Sequence, residues 1–311
     1  MKTMTFASAE DGAVESLIEN DLIGFQQKYD GTRCVVIIHL TDAIPYVEFL
    51  GRGGGPLKHT AAMQWFSEIE RFLLEQTKDQ PAGQIVLDGE IMIDTGRYLV
   101  FDLVHHQIGL QVETSIENTY AERLAHLVLR FGTVFEGLVG IAKTYLTPTE
   151  KREFYEHLLE SGAEGVMAKR MDAPYEPGKR VRHSLKIKFT KTCDVIATSY
   201  DLHRNELGNL AGSIGFALPC RECDRKGRYS MNEGEPFLEC RRCRGTGLEP
   251  FGSCSAIGKP ECVGQVIEVK YLYRQEGGAL VQPTMLRIRE DKTPEECTWD
   301  QFQAYSKAVL S

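Results

Sequence analysis

Two strand-like runs flank a charged six-residue segment near the start of the chain, and this arrangement constrains the fold more than any other feature. Segment 28–33 (KYDGTR) follows an apolar run at 22–25 and precedes a β-branched run at 35–38. We expect it to form or adjoin a turn between two strands, with Gly31 permitting a tight backbone. Lys28 is a candidate nucleophile, because the nearby positive charge of Arg33 destabilises an ammonium group. A charged hairpin turn is the alternative, since Asp-Gly is a common turn dipeptide.

The remaining hydrophobic pattern predicts a mixed α+β domain followed by a smaller β domain of barrel type. We place the boundary near residue 190, which gives domains 1–190 and 191–311. Helical spacing and capping patterns predict helices within 1–20 and over 60–76, 117–131, 148–161 and 298–308. Strands are predicted at 22–27, 33–40, 45–50, 84–93, 97–103, 165–169, 184–189, 194–201, 211–218, 263–273 and 279–289, with a turn at 277–278.

The pattern Lys28-x-Asp30-Gly31-x-Arg33 resembles the first motif of the covalent nucleotidyltransferases. This superfamily contains ATP-dependent DNA ligases, RNA ligases and mRNA capping enzymes. The resemblance implies that Lys28 accepts a nucleotide, with Asp30 and Arg33 beside it. DNA ligases usually place glutamate two residues before this lysine, whereas this chain has Gln26.

Two further stretches in the first domain are similar to later motifs of the same superfamily. Segment 87–90 (LDGE) resembles the third motif, whose glutamate, here Glu90, lies close to the nucleotide sugar or a catalytic metal. Phe101 matches an aromatic residue that stacks on the purine base. Arg52, in a glycine-rich loop, matches an arginine with which some ligases hold the nucleotide or a DNA phosphate.

Segments 164–169 (EGVMAK) and 185–188 (LKIK) resemble the fourth and fifth motifs. The resemblance implies that Glu164 binds a divalent metal and that Lys186 and Lys188 bind phosphate. Two lysines spaced by two lie on the same face of a strand, where an anion between them relieves their repulsion. Many DNA ligases carry tryptophan before this pair, where this chain has Ser184.

The sixth motif, Arg-x-Asp-Lys, is matched in the second domain by Arg289, Asp291 and Lys292. DNA ligases and capping enzymes carry this motif on an OB-fold domain that closes over the active site. Six motifs in order therefore resemble an ATP-dependent DNA ligase of minimal two-domain form, with an adenylation domain and an OB-fold β-barrel.

This resemblance implies that the chain seals nicks in double-stranded DNA through a lysyl-AMP intermediate and adenylated DNA. It also implies ATP as substrate and Mg²⁺ or Mn²⁺ as metal, held by Glu90 and Glu164. An RNA ligase and a capping guanylyltransferase are alternatives within the superfamily. A non-catalytic zinc-containing protein that binds nucleic acid is the alternative outside it.

Six of the nine cysteines lie between Cys220 and Cys262, which favours metal binding in a reducing compartment over a disulfide framework. Two Cys-x-x-Cys pairs, separated by sixteen residues, have the spacing of a four-thiolate structural zinc site. We therefore predict an insert over about 219–262, with Cys254 and Cys262 either as alternative ligands or as a second partial site. Its basic residues suggest that it clamps the duplex, while a purely stabilising zinc is the competing hypothesis. The four predicted ligands are Cys220, Cys223, Cys240 and Cys243.

The net charge of −8 does not exclude a nucleic-acid partner, because the charge is unevenly distributed. Residues 178–192 carry six Lys and Arg without an acid, whereas residues 8–21 carry five acids without a base. No signal peptide or bilayer-spanning apolar run is evident. We therefore expect a monomer without a membrane partner, located in the cytoplasm, nucleoid or a viral replication compartment.

Overall fold

The computed structural model describes residues 1–10, 12–133, 135, 137–229, 238–275 and 278–302. The chain divides into two compact units, Met1–Lys188 and Phe189–Ser311. The fold is mixed α+β, and most of its strand pairs are antiparallel. Among the described residues, no helix has the length and apolar character needed to cross a bilayer.

The first unit contains ten strands in two sheets. Strands β1, β10, β9 and β2 form a four-stranded sheet, whereas β4, β3, β5, β6 and β7 form the larger sheet, to which β8 adds through β6. The strands are β1 Thr5–Ser8, β2 Ile23–Gln27, β3 Thr32–Leu40, β4 Tyr46–Leu50, β5 Gly83–Ile91, β6 Tyr98–Ile108, β7 Gln111–Thr114, β8 Val139–Ile141, β9 Gly165–Arg170 and β10 Arg180–Lys188.

Five α-helices accompany these sheets, and two of them begin with a complete capping box. The hydroxyl oxygens of Thr119 and Thr147 each accept a hydrogen bond from the N–H of the glutamate three residues later. The carboxylate of that glutamate in turn accepts a hydrogen bond from the threonine N–H. The helices are α1 Val14–Ile18, α2 Thr60–Met63, α3 Phe66–Thr77, α4 Tyr120–Phe131 and α5 Pro148–Glu160.

Two hydrophobic clusters hold the first unit together. One buries a face of the larger sheet against the helices, with Ile69 and Leu73 of α3 and Leu127 of α4 fully buried. The other lies between the two sheets and contains Phe6 of β1 and Val35 of β3. Because each sheet buries a face in this second cluster, the two sheets pack as layers.

The second unit is built on one antiparallel sheet in the order β15, β12, β11, β16, β17. Within the described residues the edge strands β15 and β17 are not paired, so the sheet is not closed into a barrel. A separate two-stranded ribbon, β13 with β14, belongs to the cysteine-rich segment. The strands are β11 Lys191–Arg204, β12 Leu210–Pro219, β13 Arg228–Tyr229, β14 Leu238–Glu239, β15 Leu248–Ser255, β16 Val266–Tyr271 and β17 Thr284–Ile288.

The structure corrects several predictions. The predicted helix over 60–76 is broken between α2 and α3. Strand β1 lies in a region where only a helix was expected, and it pairs in parallel with β10. The start of the C-terminal helix is wrong, because Trp299–Gln301 forms a single 3₁₀ turn after which Phe302 is extended. Three parts of the predictions lie outside the described residues. They are the rest of that helix, Gly277 in the predicted turn before strand 279–289, and residues 230–237 of the predicted insert.

The cysteine-rich insert is shorter than predicted. Residues 248–255 form β15, which pairs with β12 in the main sheet of the second unit. Cys254 and Cys262 lie in the hydrophobic core beneath that sheet and are not part of the four-cysteine group. Both are therefore core thiols, and the alternative in which they bind the metal is not supported.

Candidate functional site

Lys28 lies in the connection between the two sheets of the first unit. Strand β2 pairs with β9, while β3 pairs with β4 and β5, so segment 28–31 passes from one sheet to the other. The alternative of a hairpin turn is wrong, since β2 and β3 belong to different sheets. The Lys28 N–H donates to the Gly165 carbonyl at 2.9 Å, and its Nζ donates to Glu164 Oε2 at 2.5 Å.

Gly31 is required by close packing at this crossing. A Cβ at residue 31 would lie 2.5 Å from the Ile91 carbonyl oxygen and 2.8 Å from Glu90 Cγ. Only glycine allows the backbone to approach the end of β5 this closely. The crossing segment is thereby held against the strand that carries Glu90.

Arg33 forms a two-pronged ion pair with Asp88 across strands β3 and β5. Its Nε and Nη2 donate to the two carboxylate oxygens at 2.6 Å each. The Tyr175 hydroxyl donates to Asp88 Oδ2 at 2.7 Å. Although burial opposes the charge, the attraction of Asp88 raises the pKa of Arg33, so the guanidinium stays charged. Bidentate pairing of this kind fixes the orientation of the arginine plane.

The two candidate metal-binding carboxylates, Glu90 and Glu164, influence each other. Burial raises the pKa of Glu90 to about 7, with Arg33 and Lys28 opposing the shift and Glu164 adding to it. Burial also raises the pKa of Glu164, which Lys28 opposes and the charge of Asp30 reinforces. A cation between the two carboxylates would relieve both effects, because it would favour their ionised forms.

Lys186 and Lys188 lie on one face of β10, beside Lys28. They pair in register with Met167 and Gly165 of β9, and the Gly165 carbonyl also accepts the Lys28 N–H. Burial lowers the pKa of Lys186, and the neighbouring charges of Lys188 and Lys28, and more weakly Arg52, lower it further. Positive charges gathered in this way suit a polyphosphate ligand.

Phe101 is buried, and its ring contacts two cations. The Arg33 guanidinium carbon and Lys169 Nζ each lie 4.5 Å from the ring centroid. Lys169 also donates to the Phe101 carbonyl at 3.1 Å and to the Tyr120 hydroxyl at 3.2 Å, and burial lowers its pKa to about 7. A stacked base would therefore have to share the ring with these cations or displace one of them.

The two departures from the ligase pattern are both buried and hydrogen-bonded. Gln26 Nε2 donates to the Ala142 carbonyl at 3.1 Å and to Thr144 Oγ1 at 2.8 Å. Ser184 Oγ accepts the Arg170 N–H at 2.9 Å. The amide of Gln26 makes two donations that a glutamate carboxylate could not make, so its environment is built for glutamine.

In the second unit, Arg289 is held between two carboxylates. Its Nε and Nη2 donate to the two oxygens of Asp291 at 2.8 Å each, while Nη1 donates to Asp194 at 3.0 and 3.2 Å. Lys292 Nζ donates to the same Asp194 at 2.5 Å. Asp194 thus gathers the two cations of the sixth motif; these residues form the Arg289–Lys292 cluster.

The structure therefore groups the predicted residues into two sets, one in each unit. Sequence reasoning did not assign roles to Asp88, Lys169, Tyr175 or Asp194. Asp88 precedes Glu90 by two residues and so shares its side of β5, which was a usable signal. The first set contains Lys28, Asp30, Arg33, Arg52, Glu90, Phe101, Glu164, Lys186 and Lys188, and the second contains Arg289, Asp291 and Lys292.

The four cysteines of the two Cys-x-x-Cys pairs converge. Their sulfur atoms all lie within 4.8 Å of one another, with Cys220–Cys240 at 3.7 Å and Cys223–Cys243 at 3.6 Å. Four thiolates around a tetrahedral zinc, with bonds of about 2.3 Å, have sulfur–sulfur edges of about 3.8 Å. The geometry and the donor atoms therefore fit Zn²⁺. We call residues 220–229 and 238–247 the four-cysteine module.

Three basic residues of the four-cysteine module are engaged within the second unit. Arg221 Nη2 and Arg242 Nε pair with Glu249 Oε1 at 2.7 and 2.8 Å. Arg225 donates to the Pro294 carbonyl at 2.5 Å and lies 3.5 Å from the Glu295 carboxylate. These contacts reduce the positive charge that the module can offer to a DNA phosphate.

Comparison with known proteins gives a family match for one segment. Residues 97–188 match the model described as the ATP dependent DNA ligase domain. The DNA ligase of Thermococcus fumicolans is 33% identical over 167 residues, which cover 47% of this chain and 28% of that protein. The chain thus spans less than a third of the length of that relative.

A second relative matches along most of its length. DNA ligase C1 of Mycolicibacterium smegmatis is 24% identical over 333 residues, covering 89% of this chain and 88% of that protein. A solved structure described as "DNA binding with a minimal scaffold: Structure-function analysis of Lig E DNA ligases" superimposes with a TM-score of 0.54 at 15% identity. The match covers 93% of this chain and 100% of that chain, and it shows a likeness of fold.

Proposed function

We propose that this chain is an ATP-dependent DNA ligase that seals nicks in double-stranded DNA through an AMP–lysine adduct on Lys28. The observation that carries the proposal is the 2.5 Å contact between Lys28 Nζ and Glu164, in a site surrounded by further cations. The match of residues 97–188 to the ATP dependent DNA ligase domain supports the same activity.

The first step requires Lys28 as a free amine. Before a cation binds, Glu164 is the nearest base: burial raises the pKa of its carboxyl group, so it accepts a proton from the ammonium more readily than an exposed carboxylate. The amine attacks the α-phosphorus of ATP, the P–N bond forms, and the bond to the departing pyrophosphate breaks. AMP then passes to a 5′-phosphate at the nick, and the adjacent 3′-hydroxyl displaces it.

Fixed positive charges stabilise the phosphates during these transfers. Lys186 and Lys188 lie beside Lys28 on β10, and Arg52 contributes to the same positive field. Arg33 is held in one orientation by Asp88, which suits it to contact the bound nucleotide. Phe101 supplies the aromatic surface for the base, once Lys169 makes room on the ring.

Glu90 and Glu164 are the residues that would hold a divalent cation. Carboxylate oxygens are the ligands that Mg²⁺ and Mn²⁺ prefer, and the raised pKa of Glu90 is partly due to the charge of Glu164. When bound, the cation supplies charge neutralisation for the phosphates. Lys28 would exchange its contact with Glu164 for the nucleotide as the site fills.

The second unit is proposed to be the OB-fold domain of a minimal ligase, with its sheet and core arranged as described above. Arg289, Asp291 and Lys292 are proposed to orient the departing pyrophosphate. The four-cysteine module is proposed to bind one structural zinc, since its four sulfurs leave no open coordination position. Partners are nicked double-stranded DNA and ATP, and the working state is a monomer.

Incubation with labelled ATP, separately labelled GTP, and then a nicked duplex tests the proposal. We expect a covalent adduct with ATP alone, and its transfer to DNA that carries a 5′-phosphate at the nick. An adduct with GTP would favour a capping guanylyltransferase, and sealing of RNA alone would favour an RNA ligase. Absence of any adduct would overturn the proposal and leave a zinc-containing nucleic-acid-binding protein.

Metal binding is tested separately with cobalt. Four thiolates around Co²⁺ give intense sulfur-to-metal charge-transfer absorption. We expect one Co²⁺ per chain to produce this spectrum and Zn²⁺ to abolish it by displacement. A chain that shows no such absorption does not use the four sulfurs as a metal site.

A further inference from the structure

We propose that metal binding by the four-cysteine module fixes segment 293–302 and, through it, the Arg289–Lys292 cluster. The module would then act as a metal-dependent brace for the sixth motif, where the sequence suggested a DNA clamp. The structural part of this inference stands on contacts within the second unit. Its catalytic part rests on the proposed ligase activity.

The first link runs from Arg225 to the start of the segment. Arg225 follows the ligand Cys223 by two residues, in a turn where the Lys226 N–H donates to the Cys223 carbonyl at 3.0 Å. Asp224 and Arg225 both have left-handed backbone angles, with φ of 47° and 66°. Such an angle is unfavourable for an arginine, unlike for glycine, asparagine or aspartate, so the surrounding structure must hold Arg225. Arg225 then donates to the Pro294 carbonyl, two residues after Lys292.

The second link joins Trp299 of the segment to Arg221 of the module and to Pro219, the residue before the module. The Arg221 guanidinium carbon lies 4.0 Å from the centroid of the Trp299 ring. The Trp299 Nε1–H donates to the Pro219 carbonyl at 2.7 Å, immediately before the ligand Cys220. A cation over an indole and a hydrogen bond from its N–H each have a defined geometry, so the two contacts together fix the ring.

The third link connects the end of the segment to the cluster. The Gln301 amide exchanges two hydrogen bonds with the Asp194 backbone, accepting the N–H at 2.7 Å and donating to the carbonyl at 2.9 Å. The Asp194 side chain holds Arg289 and Lys292. The segment is therefore attached to the module through Pro294 and Trp299, and to the backbone of Asp194 through Gln301.

Metal should control these contacts because its four ligands lie in the two loops of the module. The buried cysteines bring both Cys-x-x-Cys loops together, and four thiolates repel one another unless a cation lies among them. Loss of the metal would release the turn that carries Arg225 and the loop that carries Arg221. Segment 293–302 would then lose both attachments to the module.

Trp299 offers a direct readout, because the chain has only two tryptophans. In a full-length Trp65→Phe background, all tryptophan emission comes from Trp299. We expect removal of zinc by a chelator under reducing conditions to raise acrylamide quenching of this emission by about twofold, and re-addition of Zn²⁺ to reverse it. Quenching that does not change with metal content would overturn the brace.

Side-chain variants test the links without removing a ligand. Arg225→Ala and Arg221→Ala should retain one zinc per chain yet raise Trp299 quenching. They should also slow AMP-adduct formation by about tenfold, since the Arg289–Lys292 cluster would lose its fixed position. Glu222→Ala is the matched control, because Glu222 is exposed in the same Cys-x-x-Cys loop. It should change neither signal.

The outcomes separate the brace from the proposed activity. Changed quenching with normal adduct formation would overturn the coupling to the cluster. If the unaltered chain forms no adduct at all, the ligase proposal fails, while the quenching experiment still decides whether the metal holds segment 293–302. Equal behaviour of Arg225→Ala and Glu222→Ala in both assays would overturn the inference.

Discussion

Arg33 in the first unit and Arg289 in the second are both paired with aspartate, but their surroundings differ. Arg33 contacts Asp88, which is fully buried and also accepts the Tyr175 hydroxyl. Arg289 is shared between Asp194 and Asp291, and the Asp291 side chain is 66% exposed. Arg33 therefore has a single, fully buried carboxylate partner, whereas one of the two partners of Arg289 is exposed to water.

The difference in burial determines what each pair is able to do. Removing one member of a buried ion pair leaves an uncompensated charge, so the pair holds its geometry at all times. An exposed pair is screened by solvent and exchanges partners readily. Arg33 is thus part of a fixed site in the first unit, while Arg289 is able to exchange Asp291 for another anion, such as a phosphate.

The largest effect is expected at Lys28, the proposed nucleophile of the fixed site. Lys28→Ala should reduce AMP-adduct formation by more than about 10³-fold, because it removes the amine that contacts Glu164 and that the proposed chemistry requires. Gel analysis with labelled ATP measures the adduct. Lys58→Ala is the control, since Lys58 is an exposed lysine of the same unit and should behave as the unaltered chain. An adduct that survives in Lys28→Ala would show that another residue is the nucleophile.

The buried Arg33–Asp88 pair should contribute more to stability than a solvent-exposed ion pair. Asp88→Ala leaves Arg33 and the Tyr175 hydroxyl without their partner and should lower the free energy of unfolding by about 3–5 kcal/mol. Urea denaturation measures this loss at the unfolding transition of the first unit. Glu113→Ala removes the 3.5 Å pair with Arg130, whose side chain is 45% exposed, and should change stability by less than about 1 kcal/mol. Equal losses of stability in the two variants would contradict the distinction between buried and exposed ion pairs.

The fixed site should also make stability depend on pH. The pKa of Glu90 is raised from 4.5 to about 7, so the folded chain binds more protons than the unfolded chain between these values. Stability contributed by protonated Glu90 is therefore present below about pH 4.5 and is lost as the pH rises towards 7, by about 1–3 kcal/mol.

Glu90→Gln should flatten this part of the pH profile, because the amide does not ionise. Urea denaturation at several pH values between 4.5 and 7.5 measures the slope for both proteins. Exposed Glu68→Gln serves as control and should keep the slope of the unaltered chain. A slope that is the same in all three proteins would mean that Glu90 ionises normally in the folded state.

The smallest effect is expected at the solvent-exposed Arg289–Asp291 pair. Asp291→Ala removes the exposed partner of Arg289 and should leave the urea midpoint within experimental error. Adduct formation should fall by about tenfold, because Arg289 loses two of the hydrogen bonds that orient its plane. A large fall in stability would show that the two arginines are held alike.

The sequence predicted the local parts of this molecule well, because they depend on neighbours along the chain. The strands around residues 28–33 and the capped helix from Pro148 follow from short patterns of apolar, turn and capping residues. The convergence of Cys220, Cys223, Cys240 and Cys243 follows from their spacing. The roles of the motif residues came from a resemblance and stay predictions.

The sequence could not predict contacts between distant segments. Asp88 lies 55 positions from Arg33, and Asp194 lies 95 positions from Arg289. Such pairs depend on strand register, which short-range patterns do not determine. The true extent of the insert was missed for the same reason, since residues 248–255 become a strand only by pairing with β12. The passage of segment 28–31 between two sheets also depends on partners elsewhere in the chain.

The two halves of the four-cysteine module complete each other's backbone. The Cys220 N–H donates to the Gly247 carbonyl at 2.9 Å, and the Cys240 N–H donates to the Gly227 carbonyl at 2.8 Å. Neither half can form these bonds by itself, so a half-assembled module gains little from holding an ion with two sulfurs. Metal uptake should therefore be all-or-none, and a titration with limiting zinc should give a mixture of fully loaded and empty chains.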